Sequence, residues 1–429
     1  MTLLDRSGAD AYVSGNGDLT YAVDSNRLKG LATLTVVALV DVDRIRLDLH
    51  SLDVDKVLVD GKPVKYTHKR DVLAVRLTEP VASGRQLEVR VRYTGNPRPA
   101  RKRHLGTAGW EELTDGVIVA GQPHGAPTWF PCNDRPSNKA TYRLVVTAGS
   151  DYTVIANGQL VDRRRGSRTT TWVYEQRQPM ATYLATVQIG RYELRAIAGG
   201  NVPVSVAAPR ELRSRLGATF GRQADMLNLY ADLFGDYPFD GYQVVVTADD
   251  LEIPLESQGL STFGANFLAA DWDAERLVAH ELAHQWFGNS LTAGAWKDIW
   301  LHEGFACYAE WLWSEGSGDR TAADHAEEHW KRLDALDQDL VLADPGPDLM
   351  FDDRVYKRGA LFLHALRVTL GDESFFDTLA AWVAEHAYGT VDTEQLVDLF
   401  ASATTSCDVR GLARTWLMEP DLPALPRRA

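Results

Sequence analysis

The sequence predicts an α+β chain in two parts: a β-rich N-terminal domain (residues 1–198) followed by a mostly helical domain (199–429). Three observations carry this reading. At 429 residues the chain is too long for one ordinary core. From about residue 18 to 195 apolar residues recur with a period of two, the mark of strands with one face buried and one wet. Beyond about residue 200 the period becomes that of amphipathic helices.

In the first part, Arg44 to His50 alternates strictly and puts Ile45, Leu47 and Leu49 on one face. Gln86 to Tyr93 does the same with Leu87, Val89, Val91 and Tyr93. Asp60-Gly61 and Asn157-Gly158 lie between apolar runs and read as hairpin turns. No long helical period interrupts the region, so it reads as an antiparallel β-sandwich or curved, saddle-like sheet ending near Gly199-Gly200.

In the second part, Leu212, Leu216, Phe220, Leu227, Tyr230 and Leu233 fit one long amphipathic helix closed by Gly235 and Pro238. Gln243 to Thr247 is a short apolar strand, and another strand covers the region around Glu252 to Phe263. Helices are expected at about 272–287, 298–315, 321–335, 353–370, 373–386 and 392–403. Asp392 with Gln395 three residues on is a capping box for the last of these. The proline-rich tail from Pro420 to Ala429 should be irregular.

A hydrophobic content of 45% and a charged content of 24% are those of a globular protein. A net charge of −14 argues against nucleic acid or an anionic membrane as the main partner. The basic cluster Arg98, Arg101, Lys102 and Arg103 lies by prolines and reads as a solvated turn. Cys132, Cys307 and Cys407 are odd in number and far apart, giving neither a disulfide framework nor a cysteine metal site. Cys307 is expected on the inner side of its helix. Met1 to Ser7 lacks the apolar core of a signal peptide, and no stretch has the length of a membrane span. A reduced, cytoplasmic location is the expectation; oligomeric state is open.

The residues that carry chemistry centre on Leu277-Val278-Ala279-His280-Glu281-Leu282-Ala283-His284-Gln285-Trp286-Phe287-Gly288-Asn289. On a helix, His280 and His284 share a face and can converge on one metal ion, with Glu281 beside the metal's open side. A catalytic zinc keeps three protein ligands and an open position. Glu303, in Asp298-Ile299-Trp300-Leu301-His302-Glu303-Gly304-Phe305-Ala306 on a second helix, is the candidate third ligand. The flanking residues are apolar, and buried histidines beside a carboxylate need a partner that a metal supplies.

H-E-L-A-H-Q-W-F-G-N followed by W-L-H-E-G-F-A-x-Y-x-E resembles the aminopeptidase N family of gluzincin zinc peptidases. The resemblance covers nearly the whole chain. It implies one Zn2+ per chain on His280, His284 and Glu303, and a β domain followed by a thermolysin-like, mostly helical catalytic domain. Strands leading into a metal helix and then mostly helix are in that same order. Larger family members continue into a long helical C-terminal domain before which this sequence stops, which would leave the far wall of the cleft open or supplied by another subunit.

The resemblance also implies roles outside the motif. Glu256, in Asp250-Leu251-Glu252-Ile253-Pro254-Leu255-Glu256-Ser257-Gln258-Gly259, falls on the family glutamate that binds the substrate's free α-amino group. A carboxylate facing an ammonium makes a charge-assisted bond and rejects chains without a free terminus. Ile253, Pro254, Leu255 and Ser257 depart from the family's G-x-M-E-N pattern, and a proline in the edge strand would remove one backbone bond to substrate. Gln122 precedes Trp129-Phe130-Pro131-Cys132-Asn133-Asp134, which resembles the F-P-C-x-D segment, and falls where the β domain reaches the substrate's amino end. Tyr356, in Arg354-Val355-Tyr356-Lys357-Arg358-Gly359-Ala360, matches the Y-x-x-G tyrosine, whose hydroxyl can donate to a tetrahedral oxyanion. Asp298 is expected to orient a metal-bound histidine, from chain proximity alone. His325-Ala326-Glu327-Glu328-His329 satisfies an inverted motif, H-x-x-E-H, but its helix is polar nearly all round and is expected to face solvent.

The expected activity is a zinc aminopeptidase acting on a peptide or small amide with a free α-amino group, with Glu281 as general base. The alternative is a specialised zinc hydrolase on the same scaffold, acting on a modified amino acid, small amide or epoxide; a non-catalytic binding module is the third reading.

Overall fold

The computed structural model describes residues 11–426. Met1 to Ser7, read above for a targeting signal, and the end of the tail lie outside them. The architecture is a β-rich N-terminal part followed by a helical part, as the periodicities predict. An eight-stranded sheet runs, in spatial order, Gln159–Arg165, Thr169–Ala181, Lys139–Gly149, Ala11–Ala22, Arg27–Ala38, Gln86–Gly95, Asp53–Val59 and Lys62–Pro63. A small sheet of Val42–Asp48, Val72–Val81 and Tyr66–Lys69 packs with it. A five-stranded sheet, from Thr153–Ala156 through Gly116–Ala120 to Ala100–Lys102, faces the helical part. Ile45, Leu47, Leu49, Leu87, Val89, Val91 and Tyr93 are buried, as their alternation requires. Each is worth about 1.5–3 kcal/mol as an upper bound.

Asp60-Gly61 turns a hairpin with both residues at positive φ, 47° and 76°, as a type I′ turn demands. Asn157-Gly158 does not. Thr153–Ala156 pairs with Val187–Gly190 in one sheet and Gln159–Arg165 with Thr169–Ala181 in another, so the chain changes sheet here. The buried Asn157 amide donates to the carbonyls of Leu184 (2.9 Å) and Gln258 (3.0 Å) and accepts from Thr186 N (2.7 Å), spending its polar groups on a tertiary crossing. The large sheet is not wholly antiparallel either: Ala11–Ala22 runs parallel to Lys139–Gly149, everything between them forming the crossover a parallel pair needs. Arg101 and Lys102 belong to the edge strand Ala100–Lys102 rather than to a turn.

The second part opens on a sheet in the order Tyr192–Ile197, Val204–Pro209, Tyr242–Val246, Leu260–Phe263 and Leu255–Ser257. Its first strand precedes residue 198, so the sheet spans the expected boundary. The stretch 252–263 holds two short strands, because Gly259, at φ 70°, reverses the chain between them. The helices are α1 (Leu216–Phe220), α2 (Gln223–Phe234), α3 (Trp272–Ala283), α4 (Trp300–Gly316), α5 (Ala322–Asp334), α6 (Gly346–Leu349), α7 (Asp353–Leu370), α8 (Asp372–Glu385), α9 (Thr393–Ser402) and α10 (Val409–Ala413). The single helix expected over 212–233 is broken between α1 and α2. Gly217 and Gly221 each cost about 1 kcal/mol of helix propensity there. The Asp392 capping box of α9 is present, with Gln395 answering it.

α4 is buried on nearly every side and forms the axis of this part. α7 crosses it where Gly304 meets Gly359: a Cβ built on Gly304 would lie 2.8 Å from the Gly359 Cα. Only two glycines allow backbones this close.

Candidate metal centre and active site

α3 starts at Asp271, whose carboxylate accepts from Ala274 N (3.0 Å), and ends at Ala283 rather than at 287. His280 is therefore within the helix, while His284 caps it and leads into a tight turn. Gly288 closes that turn at φ 120°. α4 brings Glu303 opposite. His280 Nε2 and His284 Nε2 each lie 3.5 Å from Glu303 Oε2, and all three residues are buried.

Both remaining ring nitrogens are spoken for. His280 Nδ1 is 2.7 Å from Glu310 Oε1, and His284 Nδ1 is 3.0 Å from the Phe287 carbonyl. The two Nε2 atoms are thus left to face Glu303. Ligands at 2.0–2.2 Å in a tetrahedral shell lie roughly 3.4 Å from one another. Two imidazoles and a carboxylate with this spacing fit a zinc ion. Burial lowers the proton affinity of both histidines, but the carboxylates outweigh it and raise each to about 9: Glu303 and Glu310 at His280, Glu303 and Glu256 at His284. Burial works against the charge of Glu303, yet His284 and His280 hold its carboxyl well below the usual range.

Glu281 is buried with Oε2 unpaired, and burial pushes its pKa well up. It gathers with Glu256 and His284, one ligand-capable atom of each lying within 4.8 Å of the others. Glu256 sits on the edge strand Leu255–Ser257, where burial raises its pKa to about 7 against the pull of His284. Gln122 Nε2 reaches across from the β domain and donates to Glu256 Oε1 at 2.5 Å. Tyr356, in the first turn of α7, stacks on His280 with ring centres 6.0 Å apart. The α4–α7 crossing brings it there. Pro254 precedes the edge strand, so its missing N–H removes no bond from the hairpin itself. Ile253 beside it is 59% exposed.

The structure thus gathers His280, Glu281, His284, Glu303, Glu256, Gln122 and Tyr356. It does not bring Asp298 to a metal ligand. Asp298 Oδ1 instead accepts from Thr393 Oγ1 (2.6 Å) and N (3.3 Å), holding the start of α9. The H-x-x-E-H histidines of α5 turn inward rather than to solvent. His325 lies between Trp272 and Trp311 and bonds Ser314, and His329 stacks on Trp311 at 5.3 Å. Aromatic rings flank both histidines, while Lys331 and Glu327 make the expected surface pair. Cys307 is buried on the inner side of α4 and accepts from Lys357 Nζ at 3.3 Å.

Sequence reasoning missed three supports. Glu310 takes the orienting role given to Asp298; its place on the Glu303 face of α4, two turns on, was the available signal. Gln285 accepts from Gly259 N (2.7 Å) and donates to Ser257 O (3.2 Å), and Asn289 donates to the same carbonyl (3.1 Å). The turn after His284 therefore holds the strand that carries Glu256.

Comparison with known proteins points the same way. The chain matches the family model for the peptidase family M1 domain over residues 219–416 and that for the peptidase M1 N-terminal domain over 16–184. It is 28% identical over 324 residues to aminopeptidase M1-D of Oryza sativa subsp. japonica, covering 69% of this chain and 36% of that protein. It is 25% identical over 414 residues to probable aminopeptidase 1 of Sulfurisphaera tokodaii, covering 90% and 50%. The chain thus spans half or less of these relatives' length. Among solved structures, an M1 zinc metallopeptidase from Deinococcus radiodurans superposes with a TM-score of 0.89 at 30% identity, covering 100% of this chain and 98% of that one. A variant of that enzyme with a bound Tyr-Ser-Ala substrate gives 0.89 at 31%, covering 97% of each.

Proposed function

The chain belongs to peptidase family M1, and from that premise we propose that it is a zinc aminopeptidase removing N-terminal residues from peptides. One observation carries the proposal: His280, His284 and Glu303 converge, the outer nitrogen of each histidine already bonded, beside a buried Glu281 whose Oε2 has no hydrogen-bond partner among the described residues. Zinc, when bound, supplies Lewis acidity toward water and the scissile carbonyl.

Everything else falls to the chain's own side chains. Glu281 Oε2 takes a proton from the attacking water and passes it to the leaving amine; its raised proton affinity suits a base that must hold that proton between the two steps. Tyr356 keeps its hydroxyl proton, because burial raises its pKa well above 10, and donates it as a hydrogen bond to the developing oxyanion. Glu256 accepts from the substrate's α-ammonium, with Gln122 fixing one carboxylate oxygen. That anchor sets the first peptide bond over the metal and accounts for cleavage at the chain end. The tripeptide bound by the Deinococcus enzyme supports peptides as the substrate class. The cytoplasm is the proposed location, supported by the free thiols Cys132, Cys307 and Cys407.

The test is metal analysis alongside hydrolysis of aminoacyl anilides, with and without chelator, and with N-acetylated controls. One zinc per chain and chelator-sensitive hydrolysis of free-amine substrates are expected. Equal cleavage of the acetylated substrates would refute the anchor, and stoichiometric zinc with no hydrolysis of any kind would refute the enzyme.

A further inference from the structure

Lys139, at the start of the β-domain strand Lys139–Gly149, sends its ammonium into the other half of the molecule. Four oxygens surround Nζ: the carbonyls of Asn289 (3.0 Å), Ser290 (2.7 Å) and Gly389 (3.1 Å), and Thr292 Oγ1 (3.0 Å). Among the described residues no carboxylate pairs with it, and burial pulls its proton affinity down to about 7. Four converging acceptors and no counter-ion are the surroundings of a bound monovalent cation, here supplied by a side chain.

Asn289, Ser290 and Thr292 belong to the turn that follows His284. That histidine caps α3 with helical backbone angles, its own N–H still donating to the His280 carbonyl (3.2 Å), but its Nδ1 bonds the Phe287 carbonyl of the turn that follows (3.0 Å). Thr292 Oγ1 donates to Gly288 O (2.7 Å), and Tyr183, also from the β domain, donates to that same carbonyl (3.1 Å). Gly389 accepts from Thr292 N (3.2 Å), so the ammonium also ties in the neighbouring loop. We infer that Lys139 is a positioning residue for the metal centre: its ammonium is a built-in cation that gathers the carbonyls of the 288–292 turn and so holds the His284 imidazole in its ligating pose. The inference rests on the zinc reading above.

The test starts from protein loaded to one zinc equivalent and follows transfer of the metal to a chromogenic chelator. Lys139→Met is expected to release zinc about ten-fold faster or more, the usual consequence of losing support behind a ligand. Methylammonium should slow release from Lys139→Ala towards the wild-type rate and leave the wild type unchanged, which a merely structural lysine would not show. Unaltered release from Lys139→Met, or release from Lys139→Ala that ignores methylammonium, overturns the inference. Should neither variant fold, Thr292→Val, which removes one of the four acceptors, must release zinc faster than wild type, and an unchanged rate there overturns it too. A wild-type chain that takes up no zinc would instead sink the metal centre itself.

Discussion

Glu310 decides which nitrogen of His280 is free, and its own carboxyl is held down to about 2: burial opposes the charge, but Lys357 and His280 outweigh it. Glu310→Gln keeps the shape and removes the charge, so zinc affinity should fall about ten-fold, read by chelator competition. Glu281→Gln should keep zinc and lose turnover by about 10²–10⁴-fold, as expected when a general base is removed; a variant that still turns over would free Glu281 of that role. His302 makes a different point. Its Nε2 accepts from Ala293 N at 2.8 Å, so the buried ring must be neutral, and burial depresses its pKa to about 3. The folded value lies below the unfolded value of about 6.5, so the unfolded chain takes up the proton first. The stability this ring contributes is full above about pH 6.5 and lost as pH falls towards 3. Thermal melts should therefore show a midpoint that drops across that window, with a shallower slope in His302→Gln. His280 and His284 were legible because their i, i+4 spacing puts them on one helix face, and Glu303, on another helix, because the need for a third ligand and the W-L-H-E-G resemblance pointed to it. Asp298 was misplaced because chain proximity does not say which way an acid points, whereas Glu310 shares the Glu303 face of α4.

At the scale of elements, the α4–α7 crossing couples metal to tyrosine. Gly304 follows the ligand Glu303, and Gly359 follows Tyr356 by one turn. The contact between the two glycines therefore sets how near the Tyr356 ring comes to His280. Gly359→Ala should cost about 1–3 kcal/mol by overpacking and lower turnover while zinc content stays whole, seen as a reduced melting temperature and reduced kcat on the same preparation. A melting temperature and kcat equal to wild type would show that the crossing can relax. Periodicity placed the helices but not their breaks. Glycines in the 212–233 stretch, and the cap at His284, end helices that an apolar stripe would carry further. The stripe reports which face is buried, whereas the break depends on backbone freedom and on tertiary bonds to Gln285 and Asn289.

At the scale of the whole molecule, the three candidate metal ligands come from the helical half, whereas the site proposed for the substrate's amino end is shared. Gln122 meets Glu256, Asn157 meets Gln258, and Gln188 donates to Thr262 (3.0 Å), so a polar seam aligns the two halves. The resemblance places Gln122 and Glu256 at one end of the substrate, but the Asn157 and Gln188 crossings were not visible in local patterns; the misread hairpin at Asn157-Gly158 was part of that seam. A hydrogen bond to a charged group is worth about 1.5–3 kcal/mol. Gln122→Ala should therefore lower kcat/KM for free-amine substrates roughly ten-fold or more, with zinc content unchanged. The division of labour has a consequence for how the protein wears out. The cutting edge is forged in one piece, and the gauge beside it is assembled from two. On the proposed aminopeptidase reading, a molecule whose halves drift apart would stop telling a chain's end from its middle well before it stopped cutting.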